Sequence, residues 1–272
     1  MQYDESLCLP LFLKHYSKYF PRNNIFIIDH GSSPGVTPEG YNKMYVPRDR
    51  PFSELSRTHL IKSVSSGLLQ YFDAGIYVDC DELINLDALE GLNVTDSPVT
   101  YVAGFDVFWD DTPTGRRLLG YFIPQSCKAS IFSQTPNWIL GFHGCEYAPK
   151  TLAMPMAHIR FLFPEQSAKR LRDRVLVHRS MNPAERAEGI AAQWGAGDAE
   201  FRGFCKFVAE RKSNAETKIR KFAPIDPSRM YQEHVMRNDA GIAGGSFYSP
   251  NGYSPVGDHL FDLTDQFPAL FE

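Results

Sequence analysis

Apolar positions recur along the first third of the chain at spacings that switch between helix and strand. Leu7, Leu11, Tyr16 and Tyr19 follow the helical period, with Phe12 widening the stripe, and predict a helix over 6–20. Pro10 fits its first turn and Pro21 closes it. The run Asn24 to Asp29 predicts a buried strand ending in an acid, and Gly31 to Gly35 a loop at its carboxyl end. Met44 to Val46 predicts a short strand. Ser53 predicts the cap of a helix over 54–70, with Ile61, Val64 and Leu68 on its inner face. Gly75 to Val78 reads as the end of a second buried strand. If a further strand precedes Asp4, this alternation predicts a parallel sheet with right-handed crossovers.

The pattern changes after residue 97. Strands are predicted over 99–108, 127–132, 138–142 and 155–163, separated by loops rich in Thr, Pro and Gly. Helical spacing dominates from 164 onward, with helices expected over 165–179, 196–222 and 228–238. The Gly- and Pro-bearing stretch 241–272 reads as irregular chain folded back on the body. The class is therefore α/β: a mixed, Rossmann-like sheet flanked by helices, with a helical C-terminal part. The expected division is an α/β unit over 1–175 and a helical extension over 176–272 packed on the same body.

Candidate chemistry concentrates where the second buried strand ends, at Asp79-Cys80-Asp81-Glu82. Residues two apart on an extended backbone point the same way, so Asp79 and Asp81 are expected to share a face. Two hard oxygen donors at a strand's carboxyl end suit magnesium or manganese and leave coordination sites for phosphate oxygens. The plainer reading is that these acids cap a following helix. Asp29 ends the earlier strand, and ligands of open α/β sheets lie beyond the carboxyl ends of the strands.

Composition narrows the partners. The chain has 272 residues, 43% of them hydrophobic, and a net charge of −4, so nothing global points to nucleic acid. No apolar run is long enough for a membrane span, which leaves only peripheral membrane contact open, and no signal peptide is visible. The five cysteines are odd in number and form no CxxC spacing, which predicts free thiols and a cytoplasmic location. Asn93-Val94-Thr95 matches a glycosylation triplet and, without a secretory signal, reads as a chance match.

Together, Asp4-Glu5 before a helix, Ile28-Asp29 before a Gly-Ser loop, and Asp79-Cys80-Asp81-Glu82 resemble glycosyltransferase family 2, in its bacterial branch with an Asp-x-Asp-Glu strand end. The likeness covers about residues 1–175, which it implies are the nucleotide-sugar-binding and catalytic unit. It implies a GT-A fold, a nucleotide-sugar donor such as a UDP-sugar, a saccharide or glycan acceptor, and a divalent metal, Mn2+ or Mg2+. By the same resemblance, Glu5 and Asp29 match positions near the donor nucleoside and Arg57 a position facing the donor. Asp79 and Asp81 match the residues that meet ribose and metal, and His158 a histidine that completes the metal shell. The segment Gly141 to Glu146 falls where the acceptor side forms. The chain departs from the family in two ways. Only three residues precede Asp4, so the first strand is truncated or the true start lies upstream, and the Gln-x-x-Arg-Trp motif of processive synthases is absent.

Sugar transfer also needs a group to receive the acceptor proton. Glu146 is the first candidate for that catalytic role, His143 the second, and Asp106, Asp110 and Asp111 the third, although Asp110-Asp111 reads more simply as a solvated turn. Arg48, Arg50 and the basic run 169–179 could touch phosphate or be solvated. Trp109 and Trp138 could stack on sugar or belong to the core. Two other readings compete: a nucleotidyltransferase making sugar nucleotides, and a carbohydrate-binding protein without catalysis. The first would ordinarily show a glycine-rich phosphate loop, which this sequence lacks.

Overall fold

A computed structural model describes residues 3–89, 97–188, 190, 194–195, 197–214, 217–228, 231–235, 243–247 and 259–271. The first apolar stripe forms helix α1 (Cys8–Tyr16), which buries Leu9, Leu13 and Tyr16. Strand β1 (Phe26–Asp29) pairs in parallel with β2 (Asn42–Tyr45). Helix α2 (Glu54–Leu68) starts where the Ser53 hydroxyl accepts the Ser56 N–H at 3.0 Å, as its sequence predicts. Two short strands follow, β3 (Gly75–Ile76) and β4 (Glu82–Ile84). The long β5 (Val99–Thr112) turns into β6 (Gly115–Phe122), and β7 (Lys128–Phe132), β8 (Gly144–Cys145) and β9 (Pro155–His158) come next. Three helices, α3 (Pro164–Ser180), α4 (Pro183–Ala187) and α5 (Asp198–Ser213), lead to four strands. These are β10 (Lys218–Lys221), β11 (Tyr231–Val235), β12 (Ala243–Phe247) and β13 (His259–Asp262).

The architecture is mixed α/β, with a mixed sheet flanked by helices. Its main path runs β10-β13-β6-β5-β7-β3, and β9 bridges β4 and β5. The pairs β5–β9 and β10–β13 are parallel, and the other ladders of this sheet are antiparallel. Strand β5 is the spine because it is buried almost continuously from Val99 to Phe108. Val107 and Leu118 join the main core, while Phe108 and Leu119 join a second cluster with Phe161, Leu171 and Phe204 beneath α3 and α5. That alternation is the two-residue period of a strand covered on both faces.

Several expectations change. Parallel pairing is seen for β1 and β2, but no helix joins them and they form a separate two-stranded sheet, while β3 pairs antiparallel with β7. The strand expected over 138–142 is a 3-10 turn, Leu140–Phe142, in which Gly141 takes φ 78°, a left-handed conformation that ends extended chain. The strand expected to run to 163 stops at His158, and a 3-10 turn covers Ile159–Phe161. Strand β6 went unread, and Asp110 and Asp111, expected in a solvated turn, lie in its ladder opposite Arg117 and Arg116. Alternating charges across a hairpin satisfy each other there, so polarity did not mark the turn. The helix expected over 196–222 ends at Ser213 and gives way to β10. The helix expected over 228–238 is strand β11 where it is described, paired antiparallel with β12. The 241–272 stretch is not wholly irregular, since it supplies β12 and β13. The 175/176 division falls inside α3, and β13 pairs with β6 of the main sheet. The Asn93 triplet lies outside the described residues.

Candidate functional site

A cavity of about 820 Å³ opens where the segment before α1, the start of α2, the Asp79–Glu82 turn, the β9 end and α3 converge. The acid stretch does not run extended. The Asp79 N–H donates to the Glu82 carboxylate at 2.9 Å and the Glu82 N–H to the Asp79 carbonyl at 3.0 Å, closing a turn between β3 and β4. The carboxylates consequently take different partners. Asp79 Oδ2 receives Lys128 Nζ at 2.6 Å, and its Oδ1 receives Arg57 Nη1 and the Tyr77 hydroxyl, each at 3.2 Å. Lys128 also reaches Glu82 Oε1 at 2.7 Å. Asp81 Oδ2 receives Arg170 Nη1 at 2.6 Å and faces His158 Nε2 at 3.0 Å and Arg174 Nη2 at 3.7 Å.

These pairs decide the charges. Burial opposes ionisation of Asp79 and Asp81. The cations outweigh it, Lys128 and Arg57 for the first and Arg170 and His158 for the second, so both carboxyls titrate far below their ordinary range. Glu82 goes the other way: burial raises its pKa more than Lys128 lowers it. Two ion networks therefore meet at the turn. One runs Glu54, Arg57, Asp79, Lys128, Glu82. The other runs Glu5, Arg170, Asp81, His158, Asp106, Arg160. Its far end is a two-pronged contact, with Arg160 Nε and Nη2 donating to Asp106 at 3.0 and 2.6 Å.

Among the described residues no group of three or more His, Cys, Asp or Glu is placed to hold a divalent ion. Both Asp79 oxygens carry donors, and Asp81 Oδ2 is shared by three cations. Burial lowers the His158 pKa and Asp81 raises it, and the net shift is upward; both ring nitrogens face carboxylates, Nε2 that of Asp81 and Nδ1 that of Asp106. A metal needs the lone pair of a neutral imidazole, whereas the carboxylates facing both nitrogens of this ring favour its protonated form. As arranged, Asp79, Asp81 and His158 form ion pairs with the protein and do not fit a metal shell.

The other candidates separate. Glu5 and Arg57 line the cavity. Asp29 does not: its carboxylate accepts the Ser32 N–H at 2.9 Å and the Thr37 hydroxyl, and so ties its own loop. Glu146 also stands off the cavity, with its carboxylate accepting the N–H and side-chain amide of Asn137 at 2.8 and 3.0 Å. His143 does line it. The His143 Nδ1 faces the Cys127 carbonyl at 3.3 Å, and because a carbonyl only accepts, Nδ1 carries the proton and Nε2 the lone pair. Burial and the Lys128 charge lower its pKa to about 3, so the ring is neutral at ordinary pH. Trp138 is core, its Nε1 donating to the Ala129 carbonyl at 2.8 Å, and Trp109 packs edge-on against Phe271.

Sequence reasoning missed Lys128 altogether and left 169–179 open between phosphate contact and a wet helix face. Lysine inside the apolar run Cys127 to Phe132 was the available signal, because a buried ammonium requires paired acids. For α3 the signal was Arg170 and Arg174, four apart and therefore on one face. Comparison with protein-family models, curated proteins and solved structures returns no match.

Proposed function

We propose that the cavity binds a nucleotide-diphosphate sugar and passes its sugar to an acceptor hydroxyl, as a glycosyltransferase of GT-A-like architecture. One observation carries the reading. The Asp79–Glu82 turn and cations from α2, β7, β9 and α3 converge on one cavity large enough for such a ligand. In the reaction the bond from the sugar C1 to the phosphate oxygen breaks and its electron pair leaves with the diphosphate. The acceptor oxygen bonds to C1 and gives up its proton. Fixed positive charge beside the departing oxygens stabilises that transition state without reorganisation. His143 supports the acceptor side, because its Nε2 lone pair belongs to a residue lining the cavity. A pKa of about 3 makes it a weak base, so it orients the hydroxyl and takes the proton late, once the new bond has made that proton acidic.

A thermal-shift screen of nucleotides and nucleotide sugars tests the binding, since a ligand of the folded state raises apparent stability by mass action. The expected result is a rise with a nucleoside diphosphate and its sugar conjugates, and release of nucleoside diphosphate when an acceptor is added. Release of pyrophosphate would point to nucleotidyl transfer instead. No response to any nucleotide would remove the proposal.

A further inference from the structure

We propose that phosphate charge in this cavity is met by arginine from α3 with no divalent ion, and that Arg174 makes the contact. The inference rests on the sugar-nucleotide reading and departs from the metal that the family resemblance implies.

The charge arrangement carries the first half. Arg57, Lys128, His158, Arg170 and Arg174 all contact the three acids of the Asp79–Glu82 turn. Their positive charges already neutralise those acids. Lys128 lies 2.6 Å from Asp79 Oδ2 and Arg170 2.6 Å from Asp81 Oδ2. A divalent ion entering there would meet fixed like charges at close range in a poorly screened site and would have to expel them.

The second half rests on Arg174 itself. Its side chain is 24% exposed and lines the cavity. Its one ion contact within the described residues is 3.7 Å long, to an Asp81 oxygen that Arg170 and His158 already hold. Arg170 spends its guanidinium on Glu5 and Asp81, whereas Arg174 makes no hydrogen bond within the described residues and keeps its N–H fork for a ligand. Burial and the neighbouring Arg170 charge lower the Arg174 pKa, a direction that a bound anion would reverse. Arg48 repeats the pattern, with a buried Nη1 that has no hydrogen-bond partner and a position on the same cavity. Two oxygens of a phosphate group match the spacing of two N–H groups in a guanidinium fork.

Calorimetric titration of the full chain with inorganic pyrophosphate, and separately with UDP, in EDTA and in manganese, tests the proposal. Pyrophosphate should bind in EDTA, with manganese changing its affinity by less than about threefold, and Arg174→Gln should weaken it about tenfold or more. Arg174→Lys should recover part of that loss, since it keeps the charge without the fork. Arg172→Gln, on an exposed residue of α3 outside the cavity, should keep wild-type affinity. Binding of pyrophosphate that requires manganese would overturn the proposal, as would no binding in either condition or unchanged affinity in folded Arg174→Gln. If pyrophosphate binds in EDTA and UDP does not, the metal-free phosphate contact stands and the sugar-nucleotide reading falls.

Discussion

Asp106 and His158 are register partners on neighbouring parallel strands, and the imidazole Nδ1 lies 3.1 Å from Asp106 Oδ1. The N–H is off line for a directed hydrogen bond, so the attraction is ionic. Burial lowers the His158 pKa, Asp81 raises it, and the folded value ends above the ordinary one. Such a group stabilises the fold fully below its unfolded pKa of about 6.5 and loses that contribution as pH rises through the folded value. Urea denaturation of the wild type should therefore show stability falling on the alkaline side. Subtracting the His158→Gln curve should isolate that fall, and parallel curves would rule out the imidazolium.

Lys128 is a second buried charge, 2% exposed and held between Asp79 and Glu82. Lys128→Met would strand Glu82 without a cation in the core. The expected loss is about 3–5 kcal/mol in denaturant unfolding. Adding Glu82→Gln should recover part of it, because the stranded charge is then gone. A single-variant loss below about 1 kcal/mol would show that water reaches the pair.

Gly104 has the tightest surroundings among the described glycines. A methyl group there would sit 2.4 Å from the Ser126 carbonyl carbon and oxygen, which are backbone and cannot swing away. Gly104→Ala should cost about 3 kcal/mol or more. Gly67→Ala, near the end of α2 with open space around it, should instead stabilise by about 0.5–1 kcal/mol. Thermal unfolding of both variants gives the comparison.

Asp29 offers a test of loop against ligand. Its carboxylate ties Ser32 and Thr37 while standing outside the cavity, so Asp29→Ala should lower the melting temperature and loosen the 30–37 segment. Faster amide exchange of Ser32 is the expected signature. Nucleotide affinity should change less than in Arg174→Gln, and the reverse ranking would put Asp29 in contact with ligand.

Thiol reactivity checks the core. All five cysteines are unbonded, and Cys205 is exposed while Cys8, Cys80, Cys127 and Cys145 are buried. Burial drives the Cys8 and Cys127 thiols to about 12, leaving almost no thiolate at neutral pH. The native protein should react quickly at one thiol and the denatured protein at five. Two or more fast native thiols would contradict this packing.

Local signals were legible. The Ser53 cap placed α2 within two residues of its end, and apolar runs found β1, β5 and β7. The acids of the turn were found as well, but their partners were not, because Lys128 lies 49 residues from Asp79 and Arg170 lies 89 from Asp81. Spacing reports which residues share a face of one element, and ion pairs between elements depend on how the sheet is ordered. Reading Asp79 and Asp81 as one face assumed extended chain. The hydrogen bonds between Asp79 and Glu82 fold that stretch into a turn, and the acids disperse to separate cations.

Strand β13 lies between β6 and β10, and among the described residues β10 joins the sheet only through it. Leu263, just after it, fills the space that the missing side chain of Gly120 leaves open. On the ribosome, β6 is synthesised long before the segment that covers its edge. During that interval the nascent chain exposes an unprotected strand edge beside an apolar groove, a template for pairing with neighbouring chains. The sheet closes when residues 259–262 arrive, which makes their delivery the step that a chaperone would have most reason to guard.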